Sequence, residues 1–525
     1  MSPRQARLTV AAAVLGTIVV FVDSTVVNVA LPSIRDDLGG GLAGQQWLND
    51  AYLLTLGALL LLGGSLGDLH GRKRLFVIGL VGFGVTSLLC AAAPTIETLI
   101  VGRGLQGIAG AVLVPNTLGL IVAKFPRNER GAAIGTWTAW TGIAMVAGPL
   151  VGGLILDAAS WRWIFAINVV PVAAALWIVR QVDSEHDVPT PGRIDYVGAA
   201  LGTLGLGGPV FALIEQPLRG WGDPLILATL LGGLALLAAF VAYERRASHP
   251  MLPLELFRER NFAVGNAATL AVYGGLGAAP FFLVIFLQQV SGYSALEAGL
   301  AMLPVTLLMF ALSKRFGALA DRVGPRVFMA TGPLIGGAGF ALLARMDASG
   351  DYLADVLPGV LVFGLGLSLT VAPLTATVLG GVEERHAGMA SAINNAVARI
   401  GGLLAVAAVG AVVSAAFAAS LEDRVAGLDL PPEAQAFAEE AESRALTTTA
   451  PASLGSSRAA VAEALDDSSV EAFRLAMLIT GGLVALGGVL SAVGIRNPRR
   501  EVHCADCEPG PSVTAIAPPA ERQPA

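Results

Sequence analysis

Four ionisable residues, Asp23, Asp50, Arg103 and Arg399, stand in stretches of sequence that are otherwise apolar or built of small residues. A charged side chain at the centre of a membrane helix costs about 2.5–3.5 kcal/mol on insertion scales, so such residues are candidates for function. Burial lets a carboxylate hold a proton, whereas a nearby arginine favours the ionised form. An acid that forms an ion pair with an arginine in one conformation and loses it in another could therefore release and take up a proton.

The two acids and Arg103 are expected to gather at similar depth, because each falls towards the same end of its apolar run. Two alternatives remain open. Asp23 could be a structural partner of Asn28 or Arg103, and Asp50, near the end of its run, could simply be hydrated. Glu215 fits a solvated helix end better than a functional site.

The composition indicates a protein buried in lipid. The chain has 525 residues and is 54% hydrophobic and 14% charged, whereas soluble proteins are about 25% charged. Lys73, Lys124 and Lys314 are its only lysines, and its 64 glycines suit close helix packing in a bilayer. No basic stripe interleaved with aromatic residues occurs, so we expect no nucleic-acid partner.

Long apolar runs recur through the chain, each close to the roughly 20 residues that a helix needs to cross a membrane. They predict an all-α membrane protein with fourteen transmembrane helices. The predicted spans are 8–32, 45–66, 75–95, 98–123, 132–156, 162–180, 194–214, 224–243, 262–289, 298–318, 327–345, 356–379, 389–418 and 470–495. The first run is too long for a signal peptide, so we expect it to remain as a span.

Basic residues are unevenly distributed between the two sides of the predicted membrane. With the N-terminus inside, the short outer connections hold only Arg35, Arg162, Arg219 and Arg345. The positive-inside rule therefore predicts a multi-pass protein of the cell membrane with both termini in the cytoplasm. The outer connection 419–469 is rich in acids and is expected to be a solvated loop with a short amphipathic helix.

The chain contains an internal repeat. Span 2 is followed by Gly64-Ser-Leu-Gly-Asp68-Leu-His-Gly71-Arg72-Lys73-Arg74, and span 10 by Gly317-Ala-Leu-Ala-Asp321-Arg-Val-Gly324-Pro-Arg326. The matching offsets predict two parallel six-helix halves around a two-helix insert, with the substrate site at midplane. The expected parts are a cytoplasmic N-terminus 1–7, a first bundle 8–180, an insert 194–243, a second bundle 262–495 and a cytoplasmic, disordered tail 496–525.

Motifs along nearly the whole chain resemble the fourteen-helix drug:proton antiporter branch of the major facilitator superfamily. They are Phe21-Val-Asp23-Ser-Thr25-Val-Val-Asn28-Val-Ala-Leu31-Pro32, the loop that begins at Gly64, Arg103-Gly-Leu-Gln106-Gly107, Gly142-Ile-Ala-Met-Val-Ala-Gly148-Pro149-Leu-Val-Gly152-Gly153, Trp161-Arg-Trp163-Ile-Phe165-Ala-Ile-Asn168, Leu287-Gln288-Gln289, Gly292-Tyr293-Ser294, Asn395 and Arg399-Ile-Gly401-Gly402. The resemblance implies the major facilitator fold and export by alternating access.

Burial cost and resemblance together select the candidate site residues. Those for coupling protons and substrate are Asp23, Asn28, Asp50, Arg103 and Arg399. Those of the gating loop motif are Gly64, Gly67, Asp68, Gly71, Arg72, Asp321 and Arg322. Those of the antiporter motif, in which the proline is expected to kink the helix, are Gly142, Gly148, Pro149, Gly152 and Gly153.

In the loop motif, Gly64 and Gly67 are expected to let helices approach closely, and Asp68 to pair with Arg72 or with a facing helix N-terminus. Leu69 stands where the family usually has a basic residue, which weakens the expected charge network. In the second copy, Pro325 stands where a basic residue often follows the glycine. We therefore expect the second copy to be the weaker clamp. The alternative for both copies is a basic anchor that only fixes topology.

Several familiar motifs do not support an enzyme or a metal site. The G-x-G-x-x-G that begins at Gly102 lies in a predicted membrane span, without the strand that a dinucleotide fingerprint needs, and no glycine precedes a lysine as in a Walker A loop. Cys504 and Cys507, beside His503, lack a fourth zinc ligand and are expected to be incidental. We therefore expect no cofactor and no metal, with a proton gradient as the energy source.

The expected function is a secondary transporter, not an enzyme: a proton-coupled exporter of lipophilic or amphipathic compounds. A dedicated exporter of an endogenous metabolite uses the same machinery and remains the alternative, and a membrane sensor is a third. Expected partners are a small-molecule substrate, protons and the lipid bilayer, and the chain is expected to be a monomer. Because spans 9 to 13 carry no clear buried acid, neutral or singly charged substrates are expected.

Overall fold

The computed structural model describes residues 2–125, 127–183, 194–248, 250–380, 382, 387–428, 430–442, 445–446 and 450–497, and this part of the chain contains helices and no strand. Thirteen helical stretches in this part, Arg162–Val179 and Ala295–Val323 among them, are long and apolar enough to cross a membrane. A shorter apolar helical stretch, Ala147–Ala158, lies where the fifth span was predicted. The prediction of an all-α membrane protein with about fourteen spans is confirmed.

The first half of the chain forms a bundle followed by two inserted helices. Its helices are α1 (Pro3–Leu38), α2 (Gly41–His70), α3 (Arg72–Ala91), α4 (Ile96–Lys124), α5 (Arg127–Ala158), α6 (Arg162–Ala166) and α7 (Val169–Val179), and the insert is α8 (Tyr196–Arg219) with α9 (Pro224–Glu244). The predicted sixth span is thus two helices, because a turn at Ile167 and Asn168 separates α6 from α7.

The second half repeats the plan. Its helices are α10 (Arg260–Gln289), α11 (Ala295–Ala301), α12 (Leu303–Val323), α13 (Pro325–Leu343), α14 (Leu357–Gly380), α15 (Ala387–Ala426), α16 (Pro432–Ala441) and α17 (Arg458–Gly494). The segment 419–469 contains the expected short helix, α16, but it is less of a loop than predicted. The reason is that α15 and α17 both continue beyond their apolar stretches into polar sequence.

The packing of the helices shows the repeat directly. In the first half α1 packs on α5 and α7, and α4 packs on α2 and α3. In the second half α10 packs on α15 and α17, and α14 packs on α12 and α13, in the same relative order. The two halves meet along two seams, α2 with α15 and α5 with α11, and the inserted helix α8 packs on both α2 and α15.

Glycines set the turns and the closest helix contacts. Gly71 and Gly324 have φ of 93° and 103°, a region that favours glycine, and each joins two helices at the equivalent place in its half. A methyl group at Gly63 would overlap the Ala111 carbonyl of α4, and one at Gly67 would overlap the Asn116 side chain. Gly64, expected to allow close approach, meets only an ordinary contact, so Gly63 has that role.

The two halves share a large apolar core at one face. We call the face with the α2–α3 and α12–α13 turns the loop-motif face, and the opposite face the distal face. One apolar core joins both halves towards the distal face and includes Ile34, Leu42 and Phe282. Two smaller cores lie elsewhere, one around Phe76 of the first half, to which Ala396 of α15 contributes, and one around Phe262 of the second half, against which Leu61 of α2 packs.

A mostly apolar cavity of about 780 Å³ lies along the parts of α1 and α5 near the loop-motif face. Val14, Ile18 and Trp140 line it, with Arg7 and Glu129 among its few charged residues. All residues that line this cavity belong to the first half, so it is a groove of that half near the loop-motif face.

Candidate proton and substrate site

A buried ion pair joins α1 to α4. The Arg103 guanidinium lies 2.6 Å from Asp23 Oδ2, and the two side chains are about 1% and 0% exposed. The sequence left open whether Arg103 or Asn28 would be the partner of Asp23, and the structure gives Arg103. Breaking such a pair by removing one member is strongly destabilising, because the other charge remains buried without compensation.

Neutral amides complete the environment of Asp23. Gln106 and Asn168 donate from their side-chain nitrogens to Asp23 Oδ1 at 2.9 and 2.8 Å. Ser87 of α3 accepts from Gln106 at 2.9 Å. The carboxylate therefore accepts three hydrogen bonds, one of them from Arg103 (2.6 Å).

The turn between α6 and α7 places Asn168 beside Asp23. Asn168 lies in the intervening turn, and its amide reaches Asp23 from there. Gln106 and Asn168 belong to the motifs recognised in the sequence, whereas Ser87 gave no signal, since a lone serine in an apolar run is common in membrane helices.

Arg103 also fixes α2. Its Nε donates to the Leu48 carbonyl at 3.1 Å, and its guanidinium lies 4.2 Å from the centre of the Tyr52 ring. It donates further to Gln106 Oε1 at 2.6 Å. The network thus joins α1, α2, α3, α4 and the turn before α7 into one rigid unit.

Asp50 does not join this network, although the sequence predicted that the three residues would gather. It is completely buried, and it accepts one hydrogen bond from the protein, from Asn49 at 3.1 Å. Its Oδ2 has no partner in the described part of the chain. An ionised carboxylate at this place would be a buried charge without a cation beside it, which is costly.

The position of Asp50 on α2 places it at the seam with α15. Gln46, one turn earlier, donates to the Val406 carbonyl of α15 at 2.8 Å. Gly57, two turns later, faces Arg399 of α15, whose Cβ would lie 3.2 Å from a Cβ added there. Residues spaced in this way share one helix face, so Asp50 lies on the face that meets the second half.

Arg399 and Asn28 complete the predicted set but do not contact Asp23. The Arg399 guanidinium lies 5.5 Å from the centre of the Phe21 ring of α1. No hydrogen bond or ion pair of Arg399 is found within the described ranges. Asn28 has a buried Oδ1 without a partner in the described structure.

The first loop motif is held within its own half. Asp68 pairs with Arg72 at 2.8 Å, one of the two partners expected, and Arg72 also donates to the Gly119 carbonyl of α4 at 3.0 Å. Lys73 donates to the Val182 carbonyl after α7. This motif therefore ties α2 and α3 to α4 and α7.

The second copy is built differently. Among the described residues Asp321 makes no hydrogen bond or ion pair, while its neighbour Arg322 has a partner. Arg326 donates to the Ala492 carbonyl of α17 at 2.7 Å, and Asn497 packs against Gly324. The second turn is therefore anchored by Arg326 to the end of α17.

The antiporter motif of α5 contacts both halves. A methyl group at Gly148 would overlap Thr25 of α1, and one at Gly153 would overlap the Leu296 backbone of α11. Gly152 likewise lies against α1, and Pro149 lies against α11; Gly142 is in the same helix. The glycines thus allow one helix to pack tightly on its own bundle and across the second seam.

Two glutamines recognised in the sequence hold the distal face. Gln288 of α10 donates to the Val29 carbonyl of α1 at 3.0 Å. Gln289 accepts from Arg35 at the end of α1. These hydrogen bonds cross between the halves beside the distal core and help to keep that face closed.

The remaining sequence predictions fall on other parts of the chain. Glu215 accepts from the Trp47 indole at 2.8 Å and pairs with Arg219, so it holds α8 against α2. Cys504, Cys507 and the tail from residue 498 lie outside the described residues. Within the described ranges no group of three or more His, Cys, Asp or Glu residues could hold a metal ion.

Comparison with known proteins gives the family. The sequence profile of the Major Facilitator Superfamily matches residues 13–406. The chain is 37% identical to the puromycin resistance protein pur8 of Streptomyces alboniger, over 77% of this chain and 81% of the relative. It is 30% identical to the tetracenomycin C resistance and export protein of Streptomyces glaucescens, over 97% and 95%.

Other relatives and solved structures agree. The probable actinorhodin transporter of Streptomyces coelicolor is 37% identical over 74% of this chain and 69% of its own length. A crystal structure of a bacterial homolog of the human lysosomal transporter Spinster matches with a TM-score of 0.65 at 16% identity, covering 95% of this chain and 100% of that one. The likeness to the Spinster homolog shows the fold alone. The likeness to the actinorhodin transporter supports the predicted branch of drug and antibiotic exporters.

Proposed function

The chain belongs to the Major Facilitator Superfamily of membrane transporters, and we propose that it is a proton-coupled exporter of lipophilic or amphipathic compounds. It is a transporter rather than an enzyme, as its family and relatives agree. The observation that supports proton coupling is the contrast between two buried acids of the first half. Asp23 is paired and hydrogen-bonded, whereas Asp50 has one neutral donor and an oxygen without a partner.

In the proposed cycle Asp50 carries the proton. In the present conformation the carboxyl is sealed within the seam between α2 and α15, where an uncompensated charge is costly, so it is neutral. Loss of its proton would place a negative charge in this seam and favour separation of α2 from α15. Proton release would therefore drive the halves towards the conformation that opens at the distal face.

Asp23 and Arg103 would have a different part. Their network keeps the first half rigid, so movement is confined to the seams between the halves. We propose that this pair sets the position of α2 on α4, with Asp50 on the opposite side of the same helix. Either acid could be tested as the proton carrier, and the geometry favours Asp50.

The proposed direction of transport follows from the basic residues of the connections. If the loop-motif face is cytoplasmic, as the positive-inside rule predicts, the cavity along α1 and α5 opens to the cytoplasm and the inner leaflet. An apolar substrate would enter there and leave through the distal face, in the plasma membrane, by a chain acting as a monomer.

The names of the relatives favour a second, narrower function. Several are named for a single compound, among them puromycin, tetracenomycin C and actinorhodin. Another relative, of Mycobacterium tuberculosis, is named a multidrug resistance protein. Export of one endogenous product by the same mechanism is therefore the alternative to broad drug export.

Transport by purified chain in proteoliposomes tests the proposal. The probes are rhodamine 6G as a lipophilic cation, Nile red as a neutral dye and 1-anilinonaphthalene-8-sulfonate as an anion. Asp50→Asn should lose transport driven by a pH gradient but keep exchange of probe for probe without one. Glu433→Gln, an exposed acid of α16, is the matched control and should behave as the native chain does.

Full gradient-driven transport by Asp50→Asn would contradict the assignment and make Asp23 the next candidate. Transport that ignores the pH gradient in the native chain would contradict proton coupling itself. Failure of every probe would contradict broad export and leave the single-compound exporter as the remaining form of the proposal.

A further inference from the structure

Arg399 is an intramembrane cation for which the described structure holds no anion. It lies in the part of α15 that contacts α2, and its side chain is half-buried. Its guanidinium faces the Phe21 ring of α1 at 5.5 Å, and it makes no ion pair or hydrogen bond with any residue in the described ranges. A ring face offers a cation only about 0.5–2 kcal/mol, well below what an ion pair in a dry site gives.

The other buried charges nearby are already compensated. Arg103 has Asp23, and that pair is further satisfied by amides, so it has no need of a ligand. Asp50 forms no ion pair, and in the proposed cycle it is neutral in this conformation. Arg399 is therefore the one intramembrane charge, among the described residues at the boundary of the halves, without a counter-ion from the protein.

The place of Arg399 suits a substrate contact. Its neighbours Phe21 and Gly57 belong to the first half, while Arg399 itself belongs to the second. A group bound to its guanidinium would touch both halves near the midplane, where transporters built from repeats bind their substrates. Gly57 lets α2 pack closely on the Cβ of Arg399, so this side chain starts at the contact between the halves.

We propose that Arg399 binds an acidic group, a carboxylate or a similar resonance-stabilised oxyanion, on an aromatic substrate. This inference rests on the proposed export function, because it names the class of substrate for the same site. The planar guanidinium matches a carboxylate in two parallel hydrogen bonds, and Phe21 supplies a ring against which an aromatic body can pack. The apolar cavity along α1 and α5 would accept the rest of the molecule.

The test is equilibrium binding to the full-length chain in lipid nanodiscs, with anthraquinone-2-carboxylate and anthraquinone-2-carboxamide as matched probes. The native chain should bind the carboxylate about tenfold more tightly than the amide, as a charge-assisted hydrogen bond predicts. Arg399→Gln should bind both alike, with amide affinity unchanged, which also shows that the variant is folded. Arg399→Lys should keep part of the preference.

Equal affinity of the native chain for the two probes, absence of carboxylate binding, or a preference that survives Arg399→Gln would overturn the inference. If Arg399 served only as a partner for an acid of the protein, Arg399→Gln would change both affinities together. Binding requires no gradient, so the outcome is separate from that of the transport assay: a chain that binds the carboxylate yet moves no probe would contradict export alone.

Discussion

At the scale of single residues, the intramembrane charges differ in their partners: Asp23 and Arg103 form a buried pair, whereas Asp50 forms no ion pair. Asp23, Asp50, Arg103 and Arg399 were recognisable because charge inside an apolar run is costly. Which of them pair depends on the rotation and depth of α1, α2 and α4. A hydropathy pattern predicts the position of a helix only to within a few residues, so it does not predict these pairs. Ser87 and the turn at Asn168 were hidden for the same reason, since neither interrupts an apolar pattern.

The ion pair gives the first prediction. Asp23→Asn leaves Arg103 buried without a counter-ion and should lower the free energy of unfolding by about 3–5 kcal/mol. The double variant Asp23→Asn with Arg103→Gln removes both charges and should be more stable than Asp23→Asn alone. Thermal unfolding in detergent measures both, with Asp68→Asn, whose pair is exposed, as the control. A double variant that is less stable than the single one would contradict the pairing.

At the scale of helices, length and hydropathy predicted where most helices cross the membrane. They did not predict the two-part sixth and tenth spans, because the sequence remains apolar through both breaks. The polar ends of α15 and α17 were missed for the opposite reason: helix formation continues where hydrophobicity stops. The resemblance pointed to the correct glycine cluster in α2, including Gly67, but the closest approach to the backbone of α4 lies at Gly63, one position before the motif begins.

That glycine gives a prediction with a built-in control. Gly63→Ala should destabilise the chain by about 1–3 kcal/mol, because its methyl group meets the backbone of α4 and neither helix can give way cheaply. Gly64→Ala meets only the Pro115 side chain at 3.6 Å and should be neutral or slightly stabilising. Thermal unfolding of the two variants tests this prediction. Equal losses of stability in Gly63→Ala and Gly64→Ala would contradict the α2–α4 contact described here.

The inserted helix α8 gives a prediction about the seam that it covers. The Trp47 indole donates to Glu215, and α8 also packs on α15 through Leu403. Trp47→Phe keeps an aromatic side chain but leaves the Glu215 carboxylate without the indole donor. Loss of this hydrogen bond should cost about 1 kcal/mol of stability. Trp221→Phe, at a half-exposed position outside this contact, should cost nothing measurable. Equal melting temperatures for the native chain and Trp47→Phe would argue that the insert does not depend on this bond.

At the scale of the whole molecule, the repeated loop motif predicted the layout of two halves around an insert, and the packing of α1–α5 and α10–α15 agrees. The state of the halves could not be predicted. Two conformations of one transporter differ by only a few kcal/mol, and the same sequence must be compatible with both. The closed distal core and the hydrogen bonds of Gln288 and Gln289 show which conformation this structure represents.

The central claim is that the protonation of Asp50 controls which face is open, and spin-label distances test it most directly. Labels on cysteines at Arg74 and Asp321 report the loop-motif face, and labels at Glu97 and Ala354 report the distal face, in a chain whose three native cysteines are replaced. On going from mildly acidic to mildly alkaline pH, the account predicts that the distal distance lengthens and the loop-motif distance shortens. In Asp50→Asn both distances should be the same at every pH. A pH response that persists in Asp50→Asn, or distances that do not change in the native chain, would contradict the account.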